Sequence, residues 1–198
     1  MILFKIFISA FLIDNVILMR FLALCPFIGM SSDEDKSIGM GLAVTFVTVL
    51  ATCVTYPIYR FILKPWGLEF LQLLVFILVI AALVQLVEFY LKKSAPALYG
   101  SMGIYLALIT TNCAILAVTL EVINNTCPFT GKEYNFPQAL VYALGVALGF
   151  LLSLLLLAGI RRRIRTSPIP AFLKGTPILF IAAALLSMAF MGFKGLVS

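Results

Sequence analysis

Four cysteines, Cys25, Cys53, Cys113 and Cys127, offer the most chemistry in this sequence. A thiolate ligates soft metals and iron–sulfur clusters, whereas a buried thiol with no such task is a small hydrophobe. No two of the four stand in a C-x-x-C spacing, so the chain carries no self-contained zinc or iron–sulfur signature. It also has no histidine, the commonest general base and metal ligand, which argues against zinc chemistry and triad hydrolysis. Cys25 precedes Pro26 and Gly29 in "LCPFIGM". Proline withholds a backbone donor and drives its preceding neighbour out of the helical region, so a helix is expected to end at Cys25. Cys113 follows Thr110, Thr111 and Asn112, side chains that bond freed backbone groups in a non-helical stretch. Both thiols are therefore expected at helix interruptions, where metal ligation stands beside the reading as a plain hydrophobe. Cys53, inside "LATCVTY", reads as core, and Cys127, in "NNTCPFTGKEYNFP", as a loop thiol.

The elements that must position these residues are membrane helices. The 198 residues are 63% hydrophobic and only 11% charged, against about 25% charged in soluble domains. Mean hydropathy is +1.16. Runs of roughly 20 apolar residues match a hydrocarbon core of about 30 Å. Uncharged runs at 38–59, 70–87, 98–120, 136–160 and 175–193 each read as a span. The segment 4–24 reads as a first span interrupted by Asp14, Asn15 and Arg20, retained rather than cleaved as a signal peptide. The net charge of +6 is then a topology signal and not a nucleic-acid footprint. Lys36, Lys92, Lys93, Arg161, Arg162, Arg163, Arg165 and Lys174 follow the odd-numbered spans, against Lys5, Arg60, Lys64, Lys132 and Lys194 on the opposite side. That bias puts the odd connections in the cytoplasm and both termini outside.

Six spans divide into 1–93 and 94–198, and an odd number of spans per half makes such repeats cross in opposite directions. "DNVIL" (14–18) can be laid on "TNCAI" (111–115), and each half opens with its most polar span. Asp14 and Asn15 in span one, Thr111 and Asn112 in span four, and Glu88 near the end of span three are the candidate residues of an ion path. Backbone satisfaction competes with that role for Thr111 and Asn112, and simple solvation competes for Glu88. Gly149 and Gly159 are expected to serve close helix packing. Arg20 either adds positive charge near Cys25 or snorkels to the interface. If spans one and four were unbroken, Cys25 would lie near the cytoplasmic face and Cys113 about 22 Å up the membrane normal. A shared metal site therefore requires broken or re-entrant helices.

The pieces "FLALCPFIGMS", "FILVIAALVQLVE", "ALYGSMGIYLALITTNCAIL", "VYALGVALGFLLSLLLLAGIRRR" and "LLSMAFMGFKGL" span nearly the whole chain. With them the sequence resembles the six-span subunit family formed by the A and E subunits of the Rnf ion-translocating electron-transport complex and the D and E subunits of the sodium-pumping NADH:quinone reductase. The "CPF" and "TTNC" forms are most similar to the Rnf A subunit. The resemblance implies two six-span subunits in opposite orientations that share one intramembrane [2Fe–2S] cluster, to which this chain contributes Cys25 and Cys113. It implies an electron relay between cofactors on either side of the membrane, coupled to Na⁺ or H⁺ export. Flavins, NAD and further iron–sulfur clusters are expected only on partner subunits, since no binding motif for them is visible here. The implied setting is the cell membrane of a bacterium or archaeon.

Two other classes would share this composition. A secondary transporter or channel with no redox centre has inverted repeats and broken helices too, but would tolerate Cys25→Ser. A purely structural anchor would tolerate the loss of both cysteines. Bound iron separates the first reading from both.

Overall fold

A computed structural model describes residues 2–13, 15–31, 34–67, 69–94, 109–124, 134–168, 170 and 175–192. The described residues are helical with no strand. Asp14, Cys127 and most of the first part of span four lie outside them.

The first apolar segment is three short helices. Helix α1 (Ile2–Ile8) runs into a π-helical turn (Ser9–Ile13), α2 (Val16–Arg20) follows a break at 14–15, and α3 (Leu24–Met30) follows a second break at 21–23. Pro26 does not end a helix as the sequence suggested. It sits in the first turn of α3, where its missing N–H would have had no intrahelical partner anyway. The real interruption comes earlier, where Phe21 (φ 52°) and Ala23 (φ 59°) adopt left-handed backbone.

Helix α4 (Glu34–Ile58) continues through a π turn (Tyr59–Leu63) and a last short turn (Lys64–Trp66). Pro57 inside α4 cannot donate to the preceding turn, and the π turn directly follows it. Four threonines of α4, at 45, 48, 52 and 55, donate their hydroxyls to carbonyls one turn back. That internal satisfaction lets them sit in an apolar surround. Helix α5 (Gln72–Ser94) comes next, then α6 (Cys113–Asn124) after a break at 111–112. Helix α7 (Phe136–Arg165) is the longest, opened by a capping box between Asn135 and Gln138, and α8 (Thr176–Met191) follows Gly175.

Three of the described helical runs are long and apolar enough to cross a bilayer: Ser37–Leu63, Gln72–Phe89 and Phe136–Arg165. Leu3–Leu12, Cys113–Asn124 and Thr176–Met191 are shorter apolar helices. Helices α4 and α7 form the central pair. Around them α2 packs on α7 and α8, and α6 packs on α4 and α5. The core between them holds Ile17, Leu18, Phe27, Met40, Ile115 and Leu154. The outer faces carry large apolar side chains such as Phe61, Phe70 and Phe89, at 77%, 96% and 74% exposure, as a lipid-facing surface would.

Gly149 lets the π turn after α1 approach α7: a Cβ there would lie 2.8 Å from the Phe11 carbonyl oxygen. Gly159 has nothing within 4 Å of a Cβ position, so the packing role expected for it is not observed.

Candidate metal centre

Every helix interruption frees backbone groups, and in an apolar surround each must find a partner. At the first break Asn15 makes four bonds. Its Oδ1 accepts the N–H groups of Ile17 (3.2 Å) and Leu18 (3.5 Å), capping α2. Its Nδ2 donates to the Gly149 carbonyl (3.0 Å) and to Ser153 Oγ (2.7 Å) on α7. The Leu18 carbonyl at the other end of α2 accepts Ser187 Oγ of α8 at 2.5 Å. Asn15 is thus committed to holding the break.

At the second break the chain turns through Phe21 and Ala23 and aims the Ala23 N–H at Cys113 Sγ, 2.8 Å away. Left-handed backbone costs a non-glycine residue roughly 1–2 kcal/mol, so the surrounding contacts must hold it. Ala23 itself is buried. Cys25 follows two residues later, in the first turn of α3. The separation expected for unbroken helices is therefore abolished: the elbow before Cys25 touches the sulfur of Cys113.

Cys113 is the first residue of α6. Asn112 precedes it and caps the helix through Oδ1, which accepts the Ala114 N–H at 3.0 Å. Asn112 Nδ2 is buried and, among the described residues, is the one buried side-chain polar atom without a partner. Both Cys25 and Cys113 are exposed on the chain's surface. Cys53 is half-buried in α4 and is not among the buried core residues.

Two arginines fix the segments around the elbow. Arg20, the last residue of α2, forms an ion pair with Glu121 of α6, and Tyr142 of α7 donates to the same carboxylate at 3.1 Å. Arg20 is therefore neither a bare charge beside Cys25 nor only a snorkelling side chain. Arg161 of α7 donates from Nη1 to the Ile28 carbonyl and to Ser31 Oγ, both at 3.0 Å, binding the end of α3. A cation at a helix C-terminus is favourable, so Arg161 anchors the short helix that carries Cys25.

Of the candidates for an ion path, Thr111 is exposed at the break, Asn112 is buried there, and Glu88 is half-buried on α5, several residues before its end. Asp14 lies outside the described residues. Glu121 escapes the sequence reading because the uncharged run of span four stops at Leu120, one residue short of it. It is the one acid buried among the described side chains, at 9% exposure. Its spacing of two helical turns from Cys113 was the available signal.

The donor set fits half of a four-thiolate iron–sulfur site. Two exposed cysteines lie at breaks that touch, and a backbone N–H already bonds one sulfur. Among the described residues no three His, Cys, Asp or Glu side chains converge as ligands, and a four-thiolate site would need ligands beyond these two cysteines.

The chain, a multi-span membrane protein by its helices, matches the family described as "Rnf-Nqr subunit, membrane protein" over residues 3–197, and it belongs to that family. It is 50% identical over 191 residues to the A subunit of the Na(+)-translocating ferredoxin:NAD(+) oxidoreductase complex of Acetobacterium woodii, covering 96% of each chain. It is 52% identical over 192 residues to the A subunit of the ion-translocating oxidoreductase complex of Syntrophotalea carbinolica, covering 97% of this chain and 96% of the relative. The corresponding subunit of Vibrio cholerae serotype O1 (strain ATCC 39315 / El Tor Inaba N16961) is 47% identical over 190 residues, with 96% and 95% coverage.

Proposed function

We propose that this chain is the A-type electron-relay subunit of an Rnf ion-translocating ferredoxin:NAD oxidoreductase, in which Cys25 and Cys113 provide half the ligands of a [2Fe–2S] cluster. The observation that carries this reading is the Ala23 N–H to Cys113 Sγ bond, which joins the two helix breaks on an exposed face. The full-length likeness to subunits of ion-translocating oxidoreductase complexes supports it. The remaining two thiolates come from a homologous sister subunit of opposite orientation, of the Rnf E type. When bound, the cluster supplies one-electron transfer at membrane depth. Ala23 lends its N–H to the Cys113 sulfur, Asn15 holds the break before α2, and Arg161 holds the end of α3. The chain does not catalyse alone. Ferredoxin, flavin and NAD chemistry belongs to the other subunits, and the assembly couples it to Na⁺ or H⁺ export.

Six spans in inverted halves, 1–93 and 94–198, complete the proposal. The packing supports this: α2 meets α7 and α8 as α6 meets α4 and α5, and Asn15 and Asn112 cap α2 and α6 alike. The arginine end of α7 then faces the cytoplasm, with both termini outside, in the cell membrane of a bacterium or archaeon.

The test is iron, acid-labile sulfide and reduced-state EPR on this subunit purified with its membrane sister. About two irons per pair are expected, with the signal lost in Cys25→Ser and in Cys113→Ser. An iron-free pair, or a signal indifferent to both serines, overturns the relay.

A further inference from the structure

Helices α7 and α8 leave a cleft that shares only Arg161 with the segments around the cysteines. Its upper part is a cavity of about 780 Å³ lined by Arg161, Arg165, Ser167 and the start of α8. Ile164 and Ile178 line both this cavity and a second one of about 400 Å³ that continues between the two helices to Leu185 and Ala189. No acidic residue lines either part among the described residues. From Ile178 to Ala189 the apolar part follows α8 for about 16 Å at 1.5 Å per residue.

The charged part also sits at the right depth. Helix α7 has 30 residues, about 45 Å, which exceeds a hydrocarbon core of about 30 Å. Its apolar run ends at Ile160, and Arg161 and Arg165 stand one turn apart on the same face just beyond it. Two guanidiniums at headgroup level above an apolar groove match one phosphate group with an acyl chain below it. Arg161 uses only Nη1 for α3, so Nε–H and Nη2–H are left to a ligand.

We propose that this cleft is a binding site for an anionic phospholipid, its phosphate between Arg161 and Arg165 and one acyl chain in the groove between α7 and α8. Through Arg161, bound lipid touches the side chain that anchors the Cys25 helix. The site needs only that the chain be a membrane subunit and stands apart from the cluster assignment.

The experiment uses the intact complex in detergent, stripped of lipid, with thermal unfolding followed on addition of phosphatidylglycerol, phosphatidylcholine or inorganic phosphate. Phosphatidylglycerol is expected to raise Tm, and neither phosphatidylcholine nor inorganic phosphate to match it. Arg165→Gln is expected to weaken the phosphatidylglycerol response about fivefold, the worth of one cation at a membrane surface. Leu185→Gln, at a position 58% exposed and so safe for folding, should weaken it through the groove instead. Equal responses to the two lipids overturn the proposal, as does inorganic phosphate doing what the lipid does. Wild-type behaviour of both variants also overturns it. So does an Arg165→Gln loss of stability with no lipid dependence, which would make the arginine pair a protein contact.

Discussion

The backbone N–H of Ala23 donates to Sγ of Cys113 at 2.8 Å, across 90 residues of sequence. That bond requires Ala23 to sit at φ 59°, a conformation glycine adopts without penalty. Ala23→Gly keeps the N–H and removes the strain, so it should stabilise the chain by about 1 kcal/mol, less the extra flexibility of glycine in the unfolded state. Chemical denaturation of the purified subunit reads this, and a clear loss of stability would show that the elbow is not strained.

Asn15 and Asn112 cap α2 and α6 in the same way, yet they should not be worth the same. Replacing Asn112 by leucine removes one cap, about 1 kcal/mol. Replacing Asn15 also removes two bonds to α7, adding about 1–3 kcal/mol at about 0.5–1.5 kcal/mol each. Unfolding of the two variants side by side checks the order. Equal losses would mean that the Gly149 and Ser153 bonds contribute nothing.

Glycines of α7 that look alike in sequence should behave in opposite ways. Gly149→Ala pushes a methyl into the Phe11 carbonyl oxygen and should cost about 1–3 kcal/mol. Gly159→Ala meets open space and should gain up to about 1 kcal/mol from helix propensity. Thermal midpoints of both variants test this, and the pair fails together if Gly149→Ala is neutral.

Removing Arg20 alone leaves the Glu121 carboxylate buried with the Tyr142 hydroxyl, while the guanidinium itself is half exposed at 53%. Arg20→Leu should therefore cost about 3 kcal/mol, and the double change with Glu121→Leu should cost less than Arg20→Leu by itself. A double-mutant cycle measures the coupling. Additive losses would show that the pair is not coupled.

The sequence exposed the polar residues at the breaks, because Asn15, Thr111 and Asn112 have few other reasons to stand in apolar runs. It also exposed the apolar spans themselves, since bilayer thickness dictates their length. It did not expose the elbow. Phe21 and Ala23 carry no glycine or proline signal, and their backbone is imposed by contacts from distant segments. Pro26 was legible as a discontinuity but of the wrong sign, since proline is equally at home in the first turn of a helix. Glu121 with Arg20, and Arg161 with Ile28, join residues 101 and 133 positions apart. Nothing local announces such pairings.

The Asn112 amide, unshared among the described residues, makes the breaks at Asn15 and Asn112 differ in time as well as in energy. Around Asn15 the amides of Ile17 and Leu18 are locked by a side chain that is itself pinned to α7. Around Asn112 the cap holds Ala114, but among the described residues no partner holds the amide nitrogen behind the cap. In hydrogen exchange the start of α6 should open well before the start of α2. The break at Asn15 is then the fixed corner of the site, and the break at Asn112 the looser one.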